Sequence, residues 1–561
     1  MRSDITSRKF DPAKHYAGVI KQQGRVTLEA DDNEGLEIAL EDRRCDNLNI
    51  IGSCGTPDDG FRISNPWNDN RKINFNISAG TMYVSGIRYY QENNQTFQSQ
   101  ADWYVNDPKK EWQDYPEGNR TDIVYLMVWQ QEVSAVEDSE LMDVALGGID
   151  TSERLKTFGR VYVYLCDKPV DDCKTACNVL KQQWETDARL TVKFDPAGVS
   201  KDLCSPATKG GYIGAENQVI RVQIMDNTHF VWGFDNASAL YRVKFRSDRK
   251  TVDFETFPRD ECHYPRKDQA VEILPWSAVL PNGEKIADIT GHLTTVGTPY
   301  DPDEKTLTLN ENEPYPSNWP ISSEGNALTL YLRVWEKKED FTSGKSVILG
   351  NTGVQVTFSG TKFIPGDYWS IAVRPGTPQE VYPKSLLTGK SPDGIRRFIC
   401  PLAIIKWNET VDGVAQHIVK DCRERFDNLV ELTKRGSCCT VTVGDGVNSY
   451  GMYDDIAKAV ASLPDGGTVC VLPGEYHLDS AISIKKSFVT IKGCGYHTHI
   501  SAQRFPAFSI SNISNQNDIK LEDLTISSDA PEGAIQFDNC EGLSIVRNVI
   551  SNVTGPGIKG G

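Results

Sequence analysis

Uninterrupted apolar runs are missing from the sequence. Nothing approaches the roughly 18 charge-free apolar residues that a membrane-crossing helix needs, so no direct membrane insertion is expected. The start, Met1-Arg-Ser-Asp-Ile-Thr-Ser-Arg-Lys-Phe10, is positively charged but has no apolar segment behind it, which excludes a classical signal peptide. Positive charge is also scarce: 60 Lys and Arg stand against 77 Asp and Glu, a formal net charge of -17. A phosphate backbone would be repelled, and no nucleic acid partner is expected. The signatures of common catalytic folds are lacking as well. There is no P-loop, dinucleotide-binding glycine pattern, Gly-x-Ser-x-Gly elbow or HExxH helix. The sequence therefore nominates no catalytic residue, no cofactor and no metal site.

What is present is a chain of 561 residues, 39% hydrophobic, with 45 Gly and 28 Pro. That length exceeds the roughly 250–300 residues over which one core usually grows, and the composition favours sheet and turn over long helices. The expected fold is mainly β: a strand-rich N-terminal body followed by a right-handed parallel β-helix with a short capping helix. Residues 1–60 read as an extended docking arm with a turn at Gly24 and a short helix around Glu34 to Arg44. An ordered arm must recover its entropy through contacts, either within its own chain or on a neighbouring subunit.

Residues 61–410 form the β-rich body. Ile123–Trp129, Arg160–Leu165, Val219–Ile224, Leu328–Trp335 and Val354–Phe358 have the alternation and β-branched content of antiparallel strands. A shared Tyr-Leu-x-Val-Trp phrase at Tyr125 and Tyr331 leaves open two related sheet units or a coincidence of aromatic packing. Residues 411–439 read as a linker with a short helix in Ile418–Val430. From 440 to 561, short apolar alternations return, and the phrases beginning at Ile519 and Leu543 recur 24 residues apart, as in one coil of a solenoid. A helix over Asp454–Leu463 is placed to cover the entrance of that β-helix.

Candidate chemistry is thin. Cys166, Cys173, Cys177 and Cys204 cluster in sequence, open to zinc, to a disulfide-clipped insertion or to plain free thiols. Adjacent Cys438 and Cys439 point to opposite strand faces and do not suggest a shared metal. His497 and His499 lie two apart, a spacing that suits one strand face. If the β-helix cleaves glycans, Asp523 and Asp538 are the carboxylates to consider, since such chemistry needs a pair across one groove. Aromatic residues are better read as surfaces for assembly or intrachain packing: Phe10, Tyr16 and Arg25 on the arm, and Trp103, Tyr104, Trp112 and Tyr115 around a polar stretch, are the interface candidates.

Several phrases, taken together, carry a family resemblance: Phe10-Asp-Pro with Tyr16, Gln23-Gly-Arg-Val26, Val128-Trp-Gln-Gln-Glu-Val-Ser-Ala-Val-Glu-Asp138, Ala145-Leu-Gly-Gly-Ile-Asp-Thr151, Gly214-Ala-Glu-Asn-Gln218, Phe230-Val-Trp232 and Gly366-Asp-Tyr-Trp369. With them the chain resembles a family of uncharacterised bacterial proteins associated with phage tails and phage-tail-like contractile injection systems. It departs from that family's more basic 230s phrase at Val231, Gly233, Phe234 and Ala237. The resemblance implies a noncatalytic structural component of an injection particle, at the baseplate or in an outer cage. Its implied partners are other copies of itself and baseplate, sheath or tube subunits. It further implies synthesis in the bacterial cytoplasm and residence in a particle that is released. A glycan-binding or glycan-cleaving β-helix and a receptor-binding fibre or spike module are the alternatives.

Overall fold

The structure is a computed structural model, and it describes residues 3–100, 112–194, 210–310, 315, 329–411, 414–429, 439–463, 466–511, 518–540, 542–552 and 554–561. The chain divides into two compact units, Met1–Phe426 and Asp427–Gly561. Among the described residues no helix is long and apolar enough to cross a membrane.

The first unit is built from nested β-structures. Its framework is an antiparallel sheet in the order Arg154–Leu165, Arg120–Val133, Phe398–Val411, Val414–Asp421. The run from Ile123 to Trp129 is buried throughout because both faces of its strand are covered. Val124, Leu126 and Val128 enter a core with Phe75, Phe97 and Trp407. Ile123, Tyr125, Met127 and Trp129 face the other way, into a core with Ala176 and Leu180 of the helix Cys173–Trp184. Residues Ile418–Asp421, expected in a helix, belong instead to the strand Val414–Asp421, where Ile418 pairs with Lys406 and Asp421 with Ala403. Hairpin pairing with the adjoining strand Phe398–Val411 overrides the local helical spacing.

Between Leu165 and Phe398 the chain inserts a second set of strands. A five-stranded sheet and the three-stranded sheet formed by Arg189–Phe194, Val354–Ser359 and Ser346–Ile348 enclose a core of Val192, Val222, Phe230, Val356, Phe358, Trp369 and Ile371. Within this layer, strands His229–Gly233 and Lys337–Asp340 pair directly, and the chain between them forms a third element. Its strands follow the order Ala270–Val279, His292–Asp301, Thr306–Leu309, Thr251–Phe254, Leu240–Phe245, Leu330–Val334, and the last pairs back with the first. The ring closes as a six-stranded antiparallel barrel, which leaves no open edge among these strands. Val243, Phe245, Val252, Ile273, Val296, Leu307 and Leu332 fill it. The two Tyr-Leu-x-Val-Trp phrases thus lie in unlike sheets, one an open four-stranded sheet and the other this barrel.

The second unit is a right-handed parallel β-helix with three sheet faces. Ile519 lies in register with Leu543, and Thr525 with Val549, so the 24-residue sequence repeat is one coil. Inward ladders such as Ile491, Leu521, Ile545 and Ile500, Ile526, Ile550 supply a core that no single coil can bury alone. The helix Ile456–Ser462 starts at Asp455, whose side chain accepts from the Lys458 amide at 3.0 Å. Its Ile456, Ala459 and Val460 pack into the same core as Val441, Val443 and Val469, covering the entrance as expected.

Gly493 sits where an added Cβ would lie 2.4 Å from the Asp523 carbonyl oxygen and 2.6 Å from Leu524 Cδ2. Gly493→Ala is expected to destabilise this unit by about 1–3 kcal/mol through overpacking. Urea unfolding of the full chain, read by a fluorophore on the second unit, checks this. An unchanged midpoint would show that the coil corner yields freely.

Candidate functional site

The N-terminal arm has two parts with opposite environments. From Ser3 to Lys9 it is fastened to its own unit. The Ser3 hydroxyl donates to Glu153 at 2.6 Å, and Asn236 Nδ2 donates to the Ser3 carbonyl at 2.9 Å. The Thr6 amide donates to Glu29 at 2.9 Å, Lys9 pairs with Asp31, and Ile5 and Ser7 are buried. Arg8 is the central fastener: Nε lies 3.1 Å from Glu37, and Nη1 donates to the Asp393 carbonyl at 2.8 Å with the Asp393 carboxylate 3.4 Å away. Burial pushes the Glu37 carboxyl up despite Arg8. Burial would push Asp393 up too, but Lys390 and Arg8 outweigh it and hold this carboxyl below its usual range. The cluster borders a cavity of about 110 Å³ that Phe10, Arg221 and Tyr368 also line, with the Arg221 guanidinium 3.5 Å from the Tyr368 ring centre.

The helix that receives the arm runs over Glu29–Ile51, well beyond the expected Glu34–Arg44. Glu29, Asp31 and Asp32 favour its positive N-terminal end, and Gly52, with φ 94°, ends it. Only Ala30, Glu37 and Ile38 are buried along its length, so hydrophobic periodicity gave no signal for the extra turns. Glu41 on this helix meets Arg44 and Arg396, each at 2.7 Å. Hydrogen bonding from Arg44, reinforced by Arg396, draws the Glu41 carboxyl down to about 2 from 4.5. A depressed carboxyl contributes stability above its unfolded value that is lost as pH falls through its folded value. The stability advantage of the native chain over Glu41→Gln should therefore be full above pH 4.5 and shrink towards pH 2. Thermal midpoints of both proteins across that window test it; a constant difference would contradict the pairing.

Past Phe10 the arm turns outward. Asp11 caps the short 3-10 turn Pro12–Lys14, and a turn at Gly24, φ 69°, redirects the chain. Tyr16, Ile20 and Val26 are 59%, 89% and 85% exposed, and Leu28 and Leu36 are also exposed. Arg25 is exposed as well. Lys21 pairs with Asp32 at 2.6 Å, tying this stretch to the helix while its apolar side chains stay in solvent.

The interface candidates therefore separate. Tyr16 and Arg25 stand in solvent, while Phe10 turns into its own unit. Trp112 packs edge-on against Phe97 at 5.1 Å, and Tyr115 packs against Trp407 at 5.5 Å while its hydroxyl meets Asn408 and His417. These two aromatics, considered for an interface, are used within the fold. Trp103 and Tyr104 lie outside the described residues.

The carboxylate candidates lie on different sheets of the β-helix. Asp523 follows the strand Ile519–Glu522 of one sheet, and Asp538 ends Ile535–Asp538 of another. Asp523 is held by Arg547 at 2.7 Å, and hydrogen bonding from Arg547 keeps its carboxyl below the ordinary range. Cys173 is joined to Cys422 across 249 residues, and Cys439 to Cys470. Cys166 and Cys177 are free thiols while Cys173 is taken up by its disulfide, so these three do not form a zinc site; Cys204 and Cys438 lie outside the described residues. His497 belongs to a 3-10 turn, Gly495–His497, whereas His499 is on the following strand; the pair does not share a strand face.

Fold and surface together define a two-unit β protein, a nested sheet-and-barrel body carrying an anchored arm and, separately, a capped parallel β-helix. Residues 1–168 match the model of a family of unknown function, DUF6519, a span covering the arm, its helix and the first two framework strands. No curated protein and no solved structure matches the chain.

Proposed function

We propose that this protein is a structural component that assembles or stabilises a phage-tail-like contractile injection particle, at the baseplate or in an outer cage, through its N-terminal arm. The observation that carries this reading is the exposure of Tyr16, Ile20, Val26 and Leu28 immediately after a stretch pinned by Arg8, Glu37 and Asp393. The pinned residues set where the outer stretch leaves the body, so its ordering cost is partly met before a partner arrives. Burying Ile20 and Val26 against a neighbour would contribute about 1.5–3 kcal/mol each. Such a strap serves an assembly of repeated copies better than a freely diffusing monomer. Its partners are other copies of this chain and other particle proteins such as baseplate, sheath or tube subunits, in a particle made in the bacterial cytoplasm and later released. The glycan-cleaving alternative draws no support from Asp523 and Asp538, which lie on different sheets.

A photo-crosslinking amino acid at position 20 of the full chain tests the reading. The expected product is an intermolecular crosslink to a second copy or to a particle subunit, identified by mass spectrometry. Crosslinks confined to the arm's own chain, in dilute protein and in intact particles alike, would overturn it.

A further inference from the structure

The outer face of one β-helix sheet holds a chemical arrangement that the assembly role does not use. Strands Gly474–His477, Thr498–Ala502 and Thr525–Ser528 stack in parallel, with Glu475 in register with His499, and His477 with Ser501 and then Ser527. Alternation sends Tyr476, Ile500 and Ile526 into the core and leaves Glu475, His499, Ser501 and Ser527 on the outside. His499 Nδ1 lies 2.8 Å from Glu475 Oε2, and its Nε2 lies 3.1 Å from Ser527 Oγ.

We propose that Ser527, His499 and Glu475 act as nucleophile, general base and orienting carboxylate in the cleavage of small acyl esters presented along this face. The order is the one such chemistry requires: carboxylate on one ring nitrogen, hydroxyl on the other. A neutral imidazole with its proton on Nε2 would set the bare Nδ1 against a carboxylate oxygen, two acceptors in contact. The favoured neutral tautomer therefore keeps the proton on Nδ1, donated to Glu475, and leaves Nε2 to accept from Ser527. Ser527 Oγ attacks the ester carbonyl carbon as its proton passes to His499 Nε2. The tetrahedral adduct collapses, the bond to the alcohol oxygen breaks, and His499 returns the proton to that oxygen. Water then attacks the acyl-Ser527 ester, giving a proton to His499. Collapse of this second adduct releases the carboxylic acid, and His499 hands the proton back to Ser527 Oγ. One ester and one water become one acid and one alcohol.

The neighbourhood narrows the substrate. Backbone amides of stacked strands are engaged in the parallel ladder, so charge forming on the carbonyl oxygen falls to side chains. Ser501, beside Ser527 one coil earlier, has its Oγ 2.6 Å from His477 Nδ1. With that nitrogen as donor, the Ser501 hydroxyl is free to turn its proton towards the oxyanion. One hydroxyl in place of a pair of amides is weak stabilisation, which restricts the chemistry to esters with good leaving groups or small acyl groups such as acetyl. The open face, with Glu475 59% and His499 35% exposed at the side chain, admits an ester carried on a polymer.

The test is on the full-length protein. A fluorophosphonate probe should form a covalent adduct mapped by mass spectrometry to Ser527 in the unmutated chain, and p-nitrophenyl acetate should be turned over. His499→Gln should lower both rates by about 100-fold or more, the contribution of a positioned general base, with an unchanged thermal midpoint because this side chain points outward. Glu475→Gln should lower the rates and Glu475→Asp partly restore them, a rescue that a merely structural carboxylate would not give. No adduct on Ser527, an adduct on Ser501 instead, or labelling unaffected by His499→Gln would each overturn the proposal. None of these outcomes depends on whether the arm mediates assembly.

Discussion

Ile20→Asp combined with Val26→Asp should abolish self-association of the full chain at concentrations where the native protein assembles, weakening it by about 100-fold or more. The two side chains are 89% and 85% exposed, so their replacement removes no packing within the chain and the folded state should be unaffected. What changes is the interface: loss of two buried apolar side chains at about 1.5 kcal/mol each already amounts to about 3 kcal/mol, or about two decades in Kd. Two carboxylates buried there would add a desolvation cost. Sedimentation velocity over a concentration series reads the result directly, with circular dichroism confirming the fold. Equal association of native and variant chains would mean that the exposed arm is not the joining surface.

The second large effect concerns the β-helix. Leu521→Ala should destabilise the second unit by about 2–5 kcal/mol, the usual range for a large-to-small change in a core that collapses only in part. Leu521 is fully buried, stacked between Ile491 of the preceding coil and Ile545 of the next. A coil stacked on both sides has little freedom to close the void, because each backbone is fixed by ladders above and below. Chemical denaturation followed on the second unit tests this. A loss below about 1 kcal/mol would indicate that the interior of the solenoid is loosely filled, contrary to native packing.

The sequence made some of this architecture legible, for identifiable reasons. Ile123–Trp129 read as a strand because β-branched and aromatic residues fill it, and its continuous apolar character reflects burial on both faces. The β-helix was legible because its repeat is a physical coil, with Ile519 over Leu543. The barrel was not, since its closure depends on Leu330–Val334 returning to Ala270–Val279, a pairing that no local pattern encodes. The strand Val414–Asp421 was missed for a different reason: it pairs with its hairpin neighbour Phe398–Val411, but Ile418, Val419 and Cys422 also carry a helix-like apolar spacing that hid the strand.

The positions proposed to act divide likewise. Tyr16 and Arg25 stood out within a polar arm, but the anchor beneath them joins Arg8 to Asp393, residues 385 apart in the chain. His499 was visible as one of two nearby histidines, whereas its partners Glu475 and Ser527 lie 24 and 28 residues away. They become neighbours only once the coil register is known. Trp112 and Tyr115 illustrate the converse: aromatic residues near a polar stretch look like a surface until their packing on Phe97 and Trp407 is seen.

The most direct test of the assembly account is cryo-electron microscopy of native injection particles carrying this protein with an internal tag, beside particles from a strain that lacks it. The account predicts tagged density at symmetry-related positions, with residues 12–28 of one copy lying against a neighbouring subunit and that density missing in the deletion strain. Intact particles that never contain the protein, together with a purified chain that stays monomeric at every concentration, would contradict it.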